Sequence, residues 1–109
     1  MTEFYEQVKE RLMRYARINT ESDPHSTSVP TTSCQHDLAS VIYEELQEIG
    51  ATNVYYDKDT CVVYGSLEAN VKTGRAIGFV THMDTAPDAS GKDVKPWVLE
   101  NYDGNDIIL

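Results

Sequence analysis

The chain has 109 residues, 40% of them hydrophobic and 25% charged, which fits one ordinary domain with a core and excludes a disordered tail. Nine Lys and Arg against 18 Asp and Glu give a net charge of −9. Such a surface repels phosphate backbones and anionic lipid heads, so neither nucleic acid nor a membrane surface is expected as a partner. No apolar run approaches the roughly 18 residues of a membrane span, and the charged stretch 1–11 has no signal-peptide core. Two cysteines, Cys34 and Cys61, do not make a disulfide framework. A reducing, cytoplasmic location is therefore expected.

Phe4, Val8, Leu12, Tyr15 and Ala16 recur at helical spacing and predict an amphipathic helix over 2–18. Thr2 is placed as its N-cap, with Glu3 and Glu6 near the positive end of the dipole. Residues 19–33 are rich in Thr, Ser, Asp and Pro and read as a loop, long enough to be functional or packed along the surface. A second helix is predicted over 32–50, from Leu38, Val41, Ile42, Leu46 and Ile49. Thr32 and Gln35 are spaced as a capping box, and Gly50 stands at the stop.

Residues 53–57 and 60–67 are rich in β-formers and predict a hairpin around Asp57-Lys58-Asp59. Residues 76–80 form a short continuous apolar run, which predicts a strand buried on both faces of a parallel sheet. A loop is expected over 85–95, a short strand over 97–99 and a turn at 103–105. The chain then closes on the strand-like run Asp106-Ile107-Ile108-Leu109 without a polar tail, which predicts a fragment cut at a strand. Its open edge would invite self-association. Helices followed by strands give an α/β fold, with helices packed on a mixed, partly parallel sheet.

The chemistry concentrates where the 76–80 run enters Thr81-His82-Met83-Asp84-Thr85. Residues two apart on an extended chain point to the same side, so His82 and Asp84 face one crevice. In open α/β sheets that position, beyond the carboxyl end of a strand, is where ligands bind. A neutral imidazole ligates zinc through one nitrogen, and a carboxylate on the other nitrogen orients the ring. On spacing alone the pair also reads as a strand-end histidine beside a turn carboxylate, because a catalytic zinc needs three protein ligands.

The stretch from Ile77 to Lys92, with its His82-Met83-Asp84-Thr85-Ala86-Pro87-Asp88-Ala89-Ser90-Gly91 core, resembles peptidase T, the tripeptide aminopeptidase branch of the co-catalytic zinc peptidases. The resemblance resumes from Val98 to Ile107 and reaches back to Val29-Pro30 and the first helix. It implies that His82 binds one of two zinc ions and that Asp84 holds the imidazole and supports catalysis. It also implies that the substrate is a short peptide held by its free amino group. The bridging aspartate, Glu-Glu pair, further acidic ligand and late histidine of the family have no counterpart here. Residues 1–109 are thus expected to be the N-terminal part of an incomplete catalytic domain, inactive in isolation. The Pro87-Asp88-Ala89-Ser90-Gly91 extension favours peptidase T over a related dipeptidase or acyl-amino-acid deacylase. A non-catalytic α/β binding module that retains part of such a site is the alternative from another class.

Other chemistry-bearing residues read more plainly. His25 is expected to be solvated in its loop, and His36 to lie on the surface of the second helix. Cys34, at that helix's N-terminus, reads as an incidental thiol and Cys61 as a small core residue. Asp88 reads as a turn carboxylate, and Tyr55 and Tyr56 as aromatics that fit a pleated strand.

Overall fold

The computed structural model describes residues 2–72 and 74–108. Its elements are helix α1 (Thr2–Tyr15), helix α2 (Gln35–Glu48) and strands β1 (Thr52–Asp57) and β2 (Val62–Ser66), an α/β arrangement. Capping by the Thr2 side chain lies outside the described residues, as does Leu109 of the terminal run.

Helix α1 stops three residues short of the expected end. The amides of Arg17 and Ile18 turn back to the carbonyls of Arg14 and Tyr15, three residues earlier, which tightens the last turn. Arg14 in that turn complements the negative end of the dipole. The apolar stripe of α1 is largely uncovered, with Phe4 72% and Leu12 66% exposed. Polar contacts hold the helix instead. Tyr15 donates its hydroxyl proton to Glu45 of α2, and Arg11 and Arg14 pair with the same carboxylate.

Thr32 and Gln35 do meet, but not as a capping box. Gln35 Nε2 donates to Thr32 Oγ1 at 3.1 Å, while the Thr32 hydroxyl donates to the Glu21 carbonyl at 2.6 Å. The threonine is thereby drawn to the preceding loop, and Cys34 takes the cap position without a side-chain hydrogen bond to the helix. At the other end Gly50, at φ 82°, does what the sequence predicts. Its amide donates to Gln47 O and that of Ala51 to Leu46 O, the paired bonds of a Schellman stop. The left-handed turn directs the chain straight into β1.

Strands β1 and β2 form the expected antiparallel hairpin, with Tyr55 opposite Tyr64, Tyr56 opposite Val63 and Asp57 opposite Val62. An irregularity between Thr52 and Tyr55 accompanies the positive φ of Asn53. Asp57 builds the turn, accepting from the Thr60 hydroxyl at 2.8 Å and the Asp59 amide at 3.0 Å. These two bonds, the hydroxyl first, hold its carboxyl below the usual aspartate range. Helix α2 packs across the hairpin, and Leu38, Ala39 and Cys61 are buried there.

The second half of the chain departs from expectation. Residues 76–80 pair with no strand, leaving Phe79 93% and Val80 100% exposed. Residues 97–99 and 107–108 are likewise unpaired, whereas the turn at Asp103 forms, with its carboxylate accepting from the Asn105 amide at 3.1 Å. An apolar run becomes a buried parallel strand only when strands flank it and helices cover both faces, and a lone hairpin provides neither. The sheet of the described residues is therefore two-stranded and antiparallel, and the parallel pairing is a single bridge between Glu21 and Thr85. The radius of gyration, 17.0 Å, exceeds the roughly 13 Å of a compact domain of this length, as this open second half requires.

Candidate functional site

The segment after α1 fixes the His-x-Asp motif to the rest of the molecule. Thr85 N donates to Thr20 O at 3.0 Å, and Thr85 O accepts from Ser22 N at 2.9 Å and from Ser22 Oγ at 3.0 Å. Both backbone polar groups of the residue following Asp84 are thus held, and Thr20 is buried.

With that anchor in place, His82 Nδ1 lies 3.0 Å from Asp84 Oδ1. In the neutral ring the proton on Nδ1 donates to the carboxylate, which leaves Nε2 with a free lone pair. The imidazole is 83% exposed and its aspartate 42%. Met83 between them lines an apolar cavity of about 420 Å³ beside Leu12, Tyr15 and Leu38. Asp84 borders a cleft of about 380 Å³ together with Ser22, Asp23, Pro30, Gln35 and Thr60. His82 shares a smaller cavity, about 240 Å³, with Ile42, Cys61 and Val63.

The structure thus brings His82 and Asp84 together as the spacing predicts. Among the described residues no group of three His, Cys, Asp or Glu is placed to hold a metal ion. Thr20, Glu21 and Ser22 were not singled out from sequence. Their partners stand more than 60 positions away and no local pattern marks them.

The remaining candidates lie apart from the pair's hydrogen bonds. His25 is exposed, and its backbone amide caps onto Asp23 Oδ1 at 2.9 Å. His36 is half-buried rather than on an open surface, because its Nδ1 bonds the Tyr56 hydroxyl and ties α2 to β1. Asp88 is exposed. Cys34 is half-buried, with Sγ 3.2 Å from Thr32 Oγ1. Cys61 is buried as expected, and burial pushes its thiol pKa up against an opposing hydrogen bond from Tyr56. Under native conditions at neutral pH, an alkylating reagent should therefore modify Cys34 before Cys61, as read by mass spectrometry of peptides over a time course. Faster labelling of Cys61 would contradict the burial described here.

No family model matches the chain. It is 47% identical over 103 residues, 92% of its length, to the peptidase T of Alkaliphilus oremlandii. It is 47% identical over 105 residues, 95% of its length, to that of Clostridium acetobutylicum, and 48% identical over 103 residues to that of Desulfitobacterium hafniense. Nearly the whole chain matches peptidase T. It spans about a quarter of the length of these peptidases T, 25% of the first and 26% of the second. The likeness to peptidase T, read from residues 77–92 and 98–107 and back to Val29-Pro30 and the first helix, is thus matched by relatives that align with 92–95% of the chain.

Proposed function

We propose that residues 1–109 form the N-terminal part of the catalytic domain of a zinc-dependent aminopeptidase that removes the first residue from tripeptides. The observation that carries this reading is the 3.0 Å contact between His82 Nδ1 and Asp84 Oδ1, inside the longest run resembling peptidase T. The donor chemistry fits a zinc ion. Nδ1 is engaged by a carboxylate, Nε2 is free, and the ring is open to its surroundings. His82 would supply one ligand, and the remaining ligands of a two-zinc centre would come from sequence beyond this chain. Bound zinc would supply a water acidic enough to act as a nucleophile at neutral pH.

In this reading Asp84 keeps the imidazole in one tautomer and orientation. The cleft that Asp84 borders with Asp23 is acidic and open, and it suits the free amino group of a short peptide. A cytoplasmic location fits a peptidase acting on short peptides, and no helix of the described residues is long and apolar enough to cross a membrane.

The test compares the 109-residue chain with a longer protein that carries it in a full peptidase T sequence. The longer protein should release the N-terminal residue of tripeptides, lose the activity to a chelator and regain it with zinc. The short chain, with one imidazole and one carboxylate, should be silent and hold zinc weakly, being short of three protein ligands. A longer protein that instead prefers dipeptides or acyl-amino acids would overturn the tripeptide assignment.

A further inference from the structure

Glu21 sits at a crossing of contacts that the proposed function leaves unexplained. Its carboxylate reaches a residue 70 positions later, where Oε2 accepts from the Gly91 amide at 3.1 Å. Its own amide donates to Asn19 Oδ1 at 3.1 Å, and its carbonyl accepts from the Thr32 hydroxyl at 2.6 Å. The residue is therefore tied to the start of α2 on one side and to the loop after the motif on the other. At Gly91 a Cβ would stand 2.6 Å from Asn19 Oδ1, the oxygen that holds the Glu21 amide, so the glycine lets the loop pass close to this segment.

These bonds close the loop at both ends. Its first residue, Thr85, is pinned by Thr20 and Ser22, and its last, Gly91, by Glu21. The Thr85 amide belongs to the peptide plane that Asp84 begins, so fixing Thr85 fixes the backbone rotation that aims the Asp84 carboxylate. A loop free at Gly91 would pull on that plane.

We propose that Glu21 is a positioning residue for the His82–Asp84 pair, acting through Gly91 and the 85–91 loop. The role rests on reading that pair as the metal-holding site. Asp84 lies at its 3.0 Å contact with His82 because the segment bearing Glu21 holds the loop from outside the motif. A charge is not required for this, only an acceptor oxygen of the right reach.

The experiment uses the 109-residue chain labelled with nitrogen-15, without metal or substrate, at a pH where the imidazole is neutral. Long-range proton–nitrogen correlation reads which ring nitrogen of His82 carries the proton, and amide exchange reads Gly91. The parent should show the Nδ1–H form, and an Asp84→Ala control should lose that preference. Glu21→Ala should lose it as well, together with protection of the Gly91 amide, while the α2 and hairpin amides stay protected. Glu21→Gln should keep the parent pattern, because its amide oxygen still accepts from Gly91. Gly91→Pro removes the amide that Glu21 accepts from while leaving the Glu21 side chain in place, and it should reproduce the loss, which covers a Glu21→Ala chain that does not fold.

A Glu21→Ala or Gly91→Pro chain that retains the Nδ1–H form would overturn the proposal. So would a parent without tautomer preference, since there would be nothing to position. A longer protein inactive on peptides would sink the proposed function and leave the tautomer result standing.

Discussion

In a longer peptidase carrying this chain, His82→Ala should lose turnover and bound zinc together, whereas Asp84→Asn should lose turnover and keep most of its metal. The asymmetry follows from the geometry. Under the proposed function the imidazole Nε2 would be the atom that meets the metal, so its removal would delete a ligand outright. Asp84 touches Nδ1 at 3.0 Å and acts on the ring. Asparagine preserves the shape of the side chain but removes the charge that polarises the imidazole. Changes of this kind cost about 10–100-fold in metal affinity or activity. Neither side chain is buried, so the thermal midpoints of both variants should stay near that of the parent. Metal analysis beside steady-state kinetics decides the matter. Parent-level turnover in Asp84→Asn would show that the carboxylate has no such role.

Glu45→Ala should loosen the attachment of α1, at a cost of about 1–3 kcal/mol. Breaking a fully buried ion pair costs more, about 3–5 kcal/mol, but Arg11 and Arg14 are 39% and 54% exposed and recover hydration when released. The Tyr15 hydroxyl loses its acceptor in the same step. Because the α1 stripe buries so little apolar surface, these polar bonds to Glu45 are its chief tie to α2. Urea titration should show the loss of midpoint, and amide exchange should place it in α1, with α2 and the hairpin still protected. Glu45→Gln, which keeps an acceptor for Tyr15, should fall between. A Glu45→Ala chain as stable as the parent would mean that α1 is held by something else.

The elements legible in the sequence are those whose causes are local. The second helix follows from its 3.6-residue period and from Gly50, whose positive φ only the stop requires. The hairpin follows from β-rich runs around an aspartate that can bond its own turn. Burial of the 76–80 run was not legible, because an apolar run says what a strand needs and not whether neighbours supply it. Thr32 was misread as a cap for a related reason, since the Glu21 carbonyl that draws its hydroxyl stands 11 positions away. At the site, His82 and Asp84 were readable because two-residue spacing on extended backbone dictates a shared side. Their supports Thr20, Glu21 and Ser22 were not, since nothing in their own neighbourhood marks a partner at Thr85 or Gly91.

The bridge from Glu21 to Thr85 joins segments so distant in the chain that it sets an order of assembly. Contacts between near neighbours, those of each helix and of the hairpin, close small loops and form early. The bridge closes a long loop for only a few hydrogen bonds, a poor return in chain entropy. It should therefore form after the helix and hairpin have docked, and open before they separate. The His82–Asp84 pair would then come and go as a unit of its own, in brief excursions that leave the rest of the molecule folded.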